Sequence, residues 1–233
     1  MRTLADRINK FNRSLRFSGS LPSGIRIMNP FLEHPEALKV SSAFYRKFYN
    51  DNKKRQLILG INPGRFGAGL TGIPFTDPKR LVSYCNIPWK GGPAHEPSSV
   101  FVYDMIMAFG GPQVFYDHFY INSLSPLGFT SPGKNGKQVN YNYYDSADLT
   151  SAVRDFIIRN IKQQIGLRMH TDVCFCLGTG KNEKFLRKLN DEHGFFDRVI
   201  ALEHPRYIMQ YKAKEKEAYI EKYVRTLHDH SKK

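Results

Sequence analysis

The sequence predicts an α/β fold: a parallel sheet of four strands with helices on both faces. Three observations lead there. Four short runs, 56–60 (QLILG), 119–122 (FYIN), 172–177 (DVCFCL) and 198–202 (RVIAL), are nearly unbroken in aliphatic, β-branched and aromatic residues, as strands covered on both faces require. Segments of helical periodicity separate them, which is the alternation of a parallel sheet rather than of hairpins. The 233 residues are 41% hydrophobic and 13% aromatic, enough to fill one large core and to exclude wholesale disorder.

In chain order, Leu4, Ile8, Phe11 and Leu15 recur at helical spacing, and the Gly/Ser/Pro stretch 18–24 stops that helix. A second helix is expected over 35–49, with Leu38, Phe44, Tyr45 and Phe48 available to pack. The strand at 56–60 follows, and a helix over 99–109 separates it from the strand at 119–122. Between the second and third strands, a helix over 145–166 carries Leu149, Val153, Phe156, Ile157 and Ile161 on one stripe behind an Asp145/Ser146 cap. A helix over 180–190 bridges the last two strands, and a Lys-rich helix over 212–228 closes the chain. No repeat, low-complexity tract or linker interrupts the series. Residues 1–233 therefore read as one domain, with 1–24 an N-terminal helix and loop.

Charge narrows the partners. The 35 Lys+Arg against 21 Asp+Glu leave a formal net charge of +14, which points to a polyanion: DNA, RNA or an acidic partner. No apolar run approaches the ~20 residues of a membrane span, and the start, Met1-Arg2-Thr3-Leu4-Ala5-Asp6, lacks the apolar core of a signal peptide. Three cysteines, Cys85, Cys174 and Cys176, make neither a disulfide framework nor a four-thiolate metal cage. The expectation is a soluble, intracellular (cytoplasmic) monomer with no membrane contact.

In an open parallel sheet, ligands bind beyond the carboxyl ends of the strands. Beyond the first strand lies 60–77, GINPGRFGAGLTGIPFTD, with five glycines and two prolines in 18 residues. Such a segment is expected to be neither helix nor strand but to shape backbone. A phosphate-binding loop would end in Gly-Lys-Ser/Thr, and a dinucleotide fingerprint would lead straight into a helix; neither fits. Phe66 and Phe75 do not suit a solvated turn. The segment reads as a pocket wall, where small residues let a flat ligand approach and an aromatic ring stacks on it.

Asn122 ends the second strand and offers a carbonyl acceptor and an amide donor, the pair that reads one edge of a nucleobase. The third strand runs into Gly178-Thr179-Gly180, which is either a tight turn or a one-phosphate site at a helix start. The fourth runs into Glu203-His204-Pro205-Arg206-Tyr207. Cys174 and Cys176 alternate with Val173 and Phe175 and read as core.

Gly60-Ile61-Asn62-Pro63-Gly64-x-Phe66-Gly67 followed by Thr71-Gly72-x-Pro74-Phe75 resembles the first motif of the uracil-DNA glycosylase superfamily. Its Asn62-Pro63-Gly64 core is nearest the single-strand-selective monofunctional branch. Ile27-Met28-Asn29-Pro30-Phe31 is similar to the Asn-Pro segment upstream of that motif, Asn122 matches the base-reading asparagine, and His204-Pro205 opens the second motif. The likeness covers residues 25–207.

The resemblance implies a three-layer α/β/α enzyme that hydrolyses the N-glycosidic bond of a deaminated base in DNA, with no lyase activity and no metal or organic cofactor. Asn62 would place the attacking water and His204 would stabilise negative charge on the departing base. Gly60, Ile61 and Gly64 would line the base pocket, Phe75 would stack on the flipped base, and Asn122 would bond its Watson–Crick edge. Gly64 stands where the uracil-specific branch carries a tyrosine against the thymine methyl, so a roomier pocket is expected, open to 5-substituted uracils or a deaminated purine. The iron–sulfur branches use four cysteines, and this chain has three.

The second motif departs from the branch, whose Ser-Pro-Arg-rich wedge is replaced here by Arg206-Tyr207-Ile208-Met209-Gln210-Tyr211 running into lysines. Arg206, Tyr207 and Met209 are the expected DNA contacts, with Lys212 and Lys214 on phosphates. Lys53, Lys54, Arg55, Lys79, Arg80, Lys134, Lys137 and Lys216 are further phosphate candidates. Two other readings stand beside the glycosylase: a non-catalytic nucleic-acid or nucleobase binder that keeps the pocket, and a hydrolase of free nucleosides.

Overall fold

A computed structural model describes residues 2–231. Helix α1 (Leu4–Ser14) precedes strand β1 (Arg26–Met28); α2 (Pro30–Glu33) and α3 (Pro35–Phe48) lead into β2 (Arg55–Gly60). Then come α4 (Ala68–Thr71), α5 (Pro78–Cys85), α6 (Pro97–Ala108), α7 (Pro112–His118) and β3 (Phe119–Ser123). The hairpin β4 (Gly128–Pro132) and β5 (Gln138–Tyr141) is followed by α8 (Ala147–Gly166), β6 (Met169–Leu177), α9 (Lys181–His193) and β7 (Arg198–Leu202). Helix α10 (Pro205–Tyr211), one 3-10 turn (Ala213–Glu215) and α11 (Lys216–His230) complete the described chain.

The central sheet has the order β3-β2-β6-β7, and each neighbouring pair is parallel. Every residue of β2 and β3 is buried, the polar Arg55, Gln56, Asn122 and Ser123 at their ends included. Helices α8 and α9 pack on β6 and α7 on β2 and β3, giving the expected α/β/α layering. Local chemistry fixes the helix starts. Thr3 and Asp6 form a reciprocal capping box on α1, and the Ser146 side chain accepts from the Leu149 amide at the start of α8. One continuous apolar cluster, from Leu4 and Phe44 through Leu57, Phe175 and Ile208 to Leu227, joins the layers. Among the described residues, no helix is long and apolar enough to cross a membrane.

The structure departs from the sequence reading in several places. A second sheet, antiparallel with order β1-β4-β5, was not foreseen: its strands are short, β4 carries Gly, Pro and polar residues, and β1 meets β4 across about a hundred positions of chain. Segment 60–77 is not wholly irregular, because one helical turn, α4, forms inside it and closes on Gly72 at φ 68°. The residues after His204 form α10, with Pro205 in the first turn, so the closing Lys-rich helix starts at Lys216 rather than at 212. Arg55 does not face phosphate. It is fully buried, its Nε donating to the Tyr116 carbonyl at 2.7 Å and its Nη2 to Asp51 at 2.7 Å.

Candidate active site

The carboxyl ends of β2, β3 and β7 supply the site. Gly60 ends β2 against the ring of Phe75: a Cβ on Gly60 would lie 3.0 Å from both Cε2 and Cζ of that ring. Phe75 itself sits at φ 53°, a backbone state that large side chains avoid. Thr71 Oγ1 donates to the Thr76 carbonyl at 2.7 Å, and Thr76 Oγ1 lies 3.0 Å from the Tyr103 hydroxyl. Those bonds hold the strained turn and aim the ring. Phe66, by contrast, is 46% exposed, with the Arg65 guanidinium 4.5 Å over its ring.

Asn62 follows two residues after β2, and its side chain is fixed from both ends. The Tyr143 amide donates to its Oδ1 at 3.0 Å, and its Nδ2 donates to the Tyr141 carbonyl at 3.2 Å. The amide orientation is therefore set by the hairpin and the start of α8. Oδ1 keeps a second lone pair for another donor.

His204 caps α10, and its Nδ1 accepts the Arg206 amide at 3.1 Å. Burial, and secondarily the Arg206 guanidinium, lower its pKa to about 4. The ring is thus neutral near pH 7, and with Nδ1 accepting, its one proton is on Nε2. The ring lies 5.8 Å from that of Phe75, tilted by 48°.

Ile61, Asn62, Gly64, Phe75 and His204 line one cavity of about 310 Å³. Asn122 does not join them. Its Nδ2 donates to the Tyr120 hydroxyl at 2.8 Å and its Oδ1 accepts the Ser123 amide at 2.8 Å, and it borders a small void behind Pro63, Ala68 and Pro74. The expectation that Asn122 meets the base is corrected by strand alternation. The next residue, Ser123, faces the cavity, and a Cβ on Gly60 would lie 3.5 Å from its Oγ.

Residues 46–228 match the profile of the family described as the Uracil DNA glycosylase superfamily. The chain belongs to that superfamily. It is similar over 98% of its length to wild-type SMUG2 from Pedobacter heparinus, whose crystal structure superposes with a TM-score of 0.96 at 60% sequence identity and is itself 98% covered. Single-strand selective monofunctional uracil DNA glycosylases from mouse and rat are 29% and 31% identical over 108 residues, 37% of this chain. The matched stretch spans 38% of the length of each of those two proteins.

Around the cavity mouth of this uracil DNA glycosylase superfamily member, Arg206, Tyr207 and Tyr211 are exposed, the two tyrosine rings 5.6 Å apart. Met209 lines an adjoining cavity with Phe66, Val139 and Arg206. The lysines are unequal. Lys212 pairs with Glu215 at 2.9 Å and Lys216 with Asp104 at 2.9 Å, whereas Lys214 is exposed. Arg80 is held by Asp77 at 3.2 Å, and Lys53 by Asp117 at 2.8 Å. Gly178 donates its amide to the Leu202 carbonyl at 2.7 Å, a bond that ties β6 to β7.

Sequence reasoning missed Ser123 and Glu96. Glu96 occupies the N-cap position of α6 and lines the cavity, its carboxyl against Gly64 and Gly67. Burial pushes its carboxyl up to about 7; Asp77 adds to the rise, and the Ser99 hydroxyl and Arg206 oppose it. No local motif announces it. Only the contact with Gly64 and Gly67, whose absent side chains make room for it, marks the position.

Proposed function

We propose that this superfamily member is a monofunctional DNA glycosylase, hydrolysing the N-glycosidic bond of uracil and of other deaminated or 5-substituted bases in DNA. The observation that carries the reading is a fixed asparagine carbonyl and a neutral histidine donor sharing one cavity with an aromatic stacking face.

The base leaves the helix stack and enters the cavity, at a cost of a few kcal/mol that is least for mispaired or single-stranded bases. Phe75 stacks on it, and Gly60, lacking a side chain, lets base and ring approach closely. The C1′–N bond breaks with its electron pair leaving on the base, while the sugar gains oxocarbenium character. His204 Nε2–H donates to the base oxygen where negative charge collects; a neutral donor matched to that oxyanion stabilises it without first giving up a proton. Asn62 Oδ1, held by Tyr143, directs a water at C1′. An amide is no general base, so the water loses its proton only as its oxygen bonds the electrophilic sugar carbon, and that proton passes through solvent to the departing base anion, which leaves as the neutral base. No lysine is needed to form a Schiff base, which is why lyase activity is absent from the proposal.

Ser123 takes the place beside the base that Asn122 vacates. Its hydroxyl both donates and accepts, so it tolerates more than one base edge. Arg206, Tyr207 and Met209 at the mouth, with Lys214 beyond, form the DNA-facing surface, and the excess positive charge brings the phosphate backbone to it.

Uracil-containing single-stranded oligonucleotide, treated with the protein and then with alkali, tests the reading. Cleavage at uracil that needs the alkali step, and no borohydride-trapped protein adduct, is the expected result. Binding of the oligonucleotide with no alkali-labile site would instead favour the non-catalytic binder. Activity on free deoxyuridine without DNA would favour the nucleoside hydrolase.

A further inference from the structure

The carboxyl of Glu96 occupies the space that a side chain at position 64 would fill. A Cβ on Gly64 would lie 2.7 Å from Glu96 Oε1, and one on Gly67 would collide with the same carboxyl. The group comes from a different element, the start of α6, and it lines both the base cavity and the adjoining one. It is anchored on one side only. Ser99 Oγ donates to Oε2 at 3.1 Å, and the Glu96 amide donates to Asp77 Oδ2 at 3.0 Å. The same cavity is lined by Ser123, Phe75 and His204, with Phe75 and Ser123 gathered at Gly60 and Glu96 at Gly64, so a flat base stacked on Phe75 would reach Gly64 and Glu96 with a different edge from the one it turns to His204.

Resting on the glycosylase reading above, we propose that Glu96 is a proton-switched specificity residue that reads the base edge left open by Gly64. As an acid it donates a hydrogen bond to an acceptor on that edge, such as the N7 of a deaminated purine. As a carboxylate it accepts from a hydroxyl there, such as that of a 5-hydroxymethyl pyrimidine. Uracil carries neither group on that edge and serves as the internal reference.

The surroundings make both states accessible. Asp77 is fully buried on the α5 side and favours the neutral acid, but it is itself held by Arg80 at 3.2 Å, with His95 3.9 Å away. Arg206 on α10 favours the carboxylate, and Arg65 of the glycine-rich loop borders the adjoining cavity. His204 stays neutral through the range in question, and Tyr144, which also lines the cavity and whose hydroxyl burial pushes up to about 12, carries no charge there. These opposing charges and the burial leave the carboxyl titrating at about 7. Its protonated fraction then falls about tenfold between about pH 6 and about pH 8.

The test is the ratio of kcat/KM for hypoxanthine to that for uracil, and of 5-hydroxymethyluracil to uracil, in the same oligonucleotide context from pH 5.5 to 8.5. In the wild-type protein the hypoxanthine ratio is expected to fall up to about tenfold as pH rises through 7, while the hydroxymethyl ratio rises. In Glu96→Gln, whose amide donates and accepts at every pH, both ratios become flat. Thermal melting confirms that the variant is folded, and the wild-type ratios alone remain a test if it is not. Uracil excision with pH-independent ratios in the wild type overturns the inference, as do wild-type slopes that persist in Glu96→Gln, or an absence of hypoxanthine excision at every pH. Failure to excise uracil at all overturns the glycosylase reading, and this inference falls with it.

Discussion

Replacing Gly60 with alanine puts one methyl group where the account leaves no room. The new Cβ would stand 3.0 Å from Cε2 and from Cζ of Phe75, against the ~3.5–4.0 Å at which carbon atoms rest. Either the ring or the end of β2 must move by about 0.5–1 Å. The strand is pinned by its pairing with β3 and β6 and by the Leu124 amide, which donates to the Gly60 carbonyl at 2.9 Å. The ring is therefore what yields, and with it the stacking face. Overpacking of this kind costs about 1–3 kcal/mol, or a fall in Tm of about 2–10 °C for a chain of this size. A misplacement approaching 1 Å at a catalytic site lowers rate by up to about 100-fold. Single-turnover excision of uracil by Gly60→Ala, measured beside its melting curve, should show a loss of rate of about 10- to 100-fold while the protein stays folded. A wild-type rate in the folded variant would refute the placement of Phe75 over the base.

Four further outcomes are expected. Asn62→Asp places a carboxylate oxygen about where Nδ2 now donates to the Tyr141 carbonyl, so it should lose about 1–3 kcal/mol of stability in urea unfolding; a variant as stable as wild type would contradict the fixed orientation of the amide. Ser123→Ala should slow excision more than Asn122→Ala, which instead should lower Tm by leaving the Tyr120 hydroxyl and the Ser123 amide without their partner; the reverse order in single-turnover rates would restore Asn122 to the site. His204 has a folded pKa of about 4 against 6.5 unfolded, so the unfolded state binds more protons between those values. Stability attributable to it is complete above pH 6.5 and lost as pH falls toward 4, on the order of 3 kcal/mol, and His204→Gln should flatten that slope in pH-dependent denaturation. Glu96 has the opposite sign: its pKa is raised from 4.5 to about 7, so its favourable contribution is complete below pH 4.5 and lost as pH rises through 7. Glu96→Gln should therefore gain Tm relative to wild type at pH 8 and show little difference at pH 5.

Most of the fold was legible because its signals are local and redundant. Unbroken runs such as QLILG and DVCFCL fit only strands covered on both faces, and Ser146 before an apolar stripe marks a helix start. The second sheet was hidden because GFTSP and QVNY take their strand form from pairing with each other and with the distant β1 rather than from composition. In the candidate site, Asn62, Phe75 and His204 could be placed because each directly follows a strand or sits in a glycine-rich segment joined to one. Asn122 and Ser123 could not be told apart, since a shift of one residue along a strand exchanges the two faces of the sheet. Glu96 was invisible for a different reason: its importance lies in burial and in its filling of the space beside Gly64, and neither is a property of sequence spacing. The basic residues divide differently: Lys216 pairs with the distant Asp104, which spacing does not show, whereas Arg55, Arg80 and Lys212 pair with Asp51, Asp77 and Glu215 only three or four positions away.

The central claim is that Asn62 and a neutral His204 together hydrolyse a base from DNA. It is tested most directly by single-turnover reaction of a uracil-containing oligonucleotide in ¹⁸O-labelled water, with products read by mass spectrometry at pH 5.5 and pH 8. The account predicts free unlabelled uracil and one ¹⁸O atom on the abasic sugar, at rates that differ little between the two pH values. Asn62→Ala and His204→Ala should each be slower, His204→Ala by about 10²–10³-fold. No release of free uracil, or a wild-type rate in either variant, would contradict it.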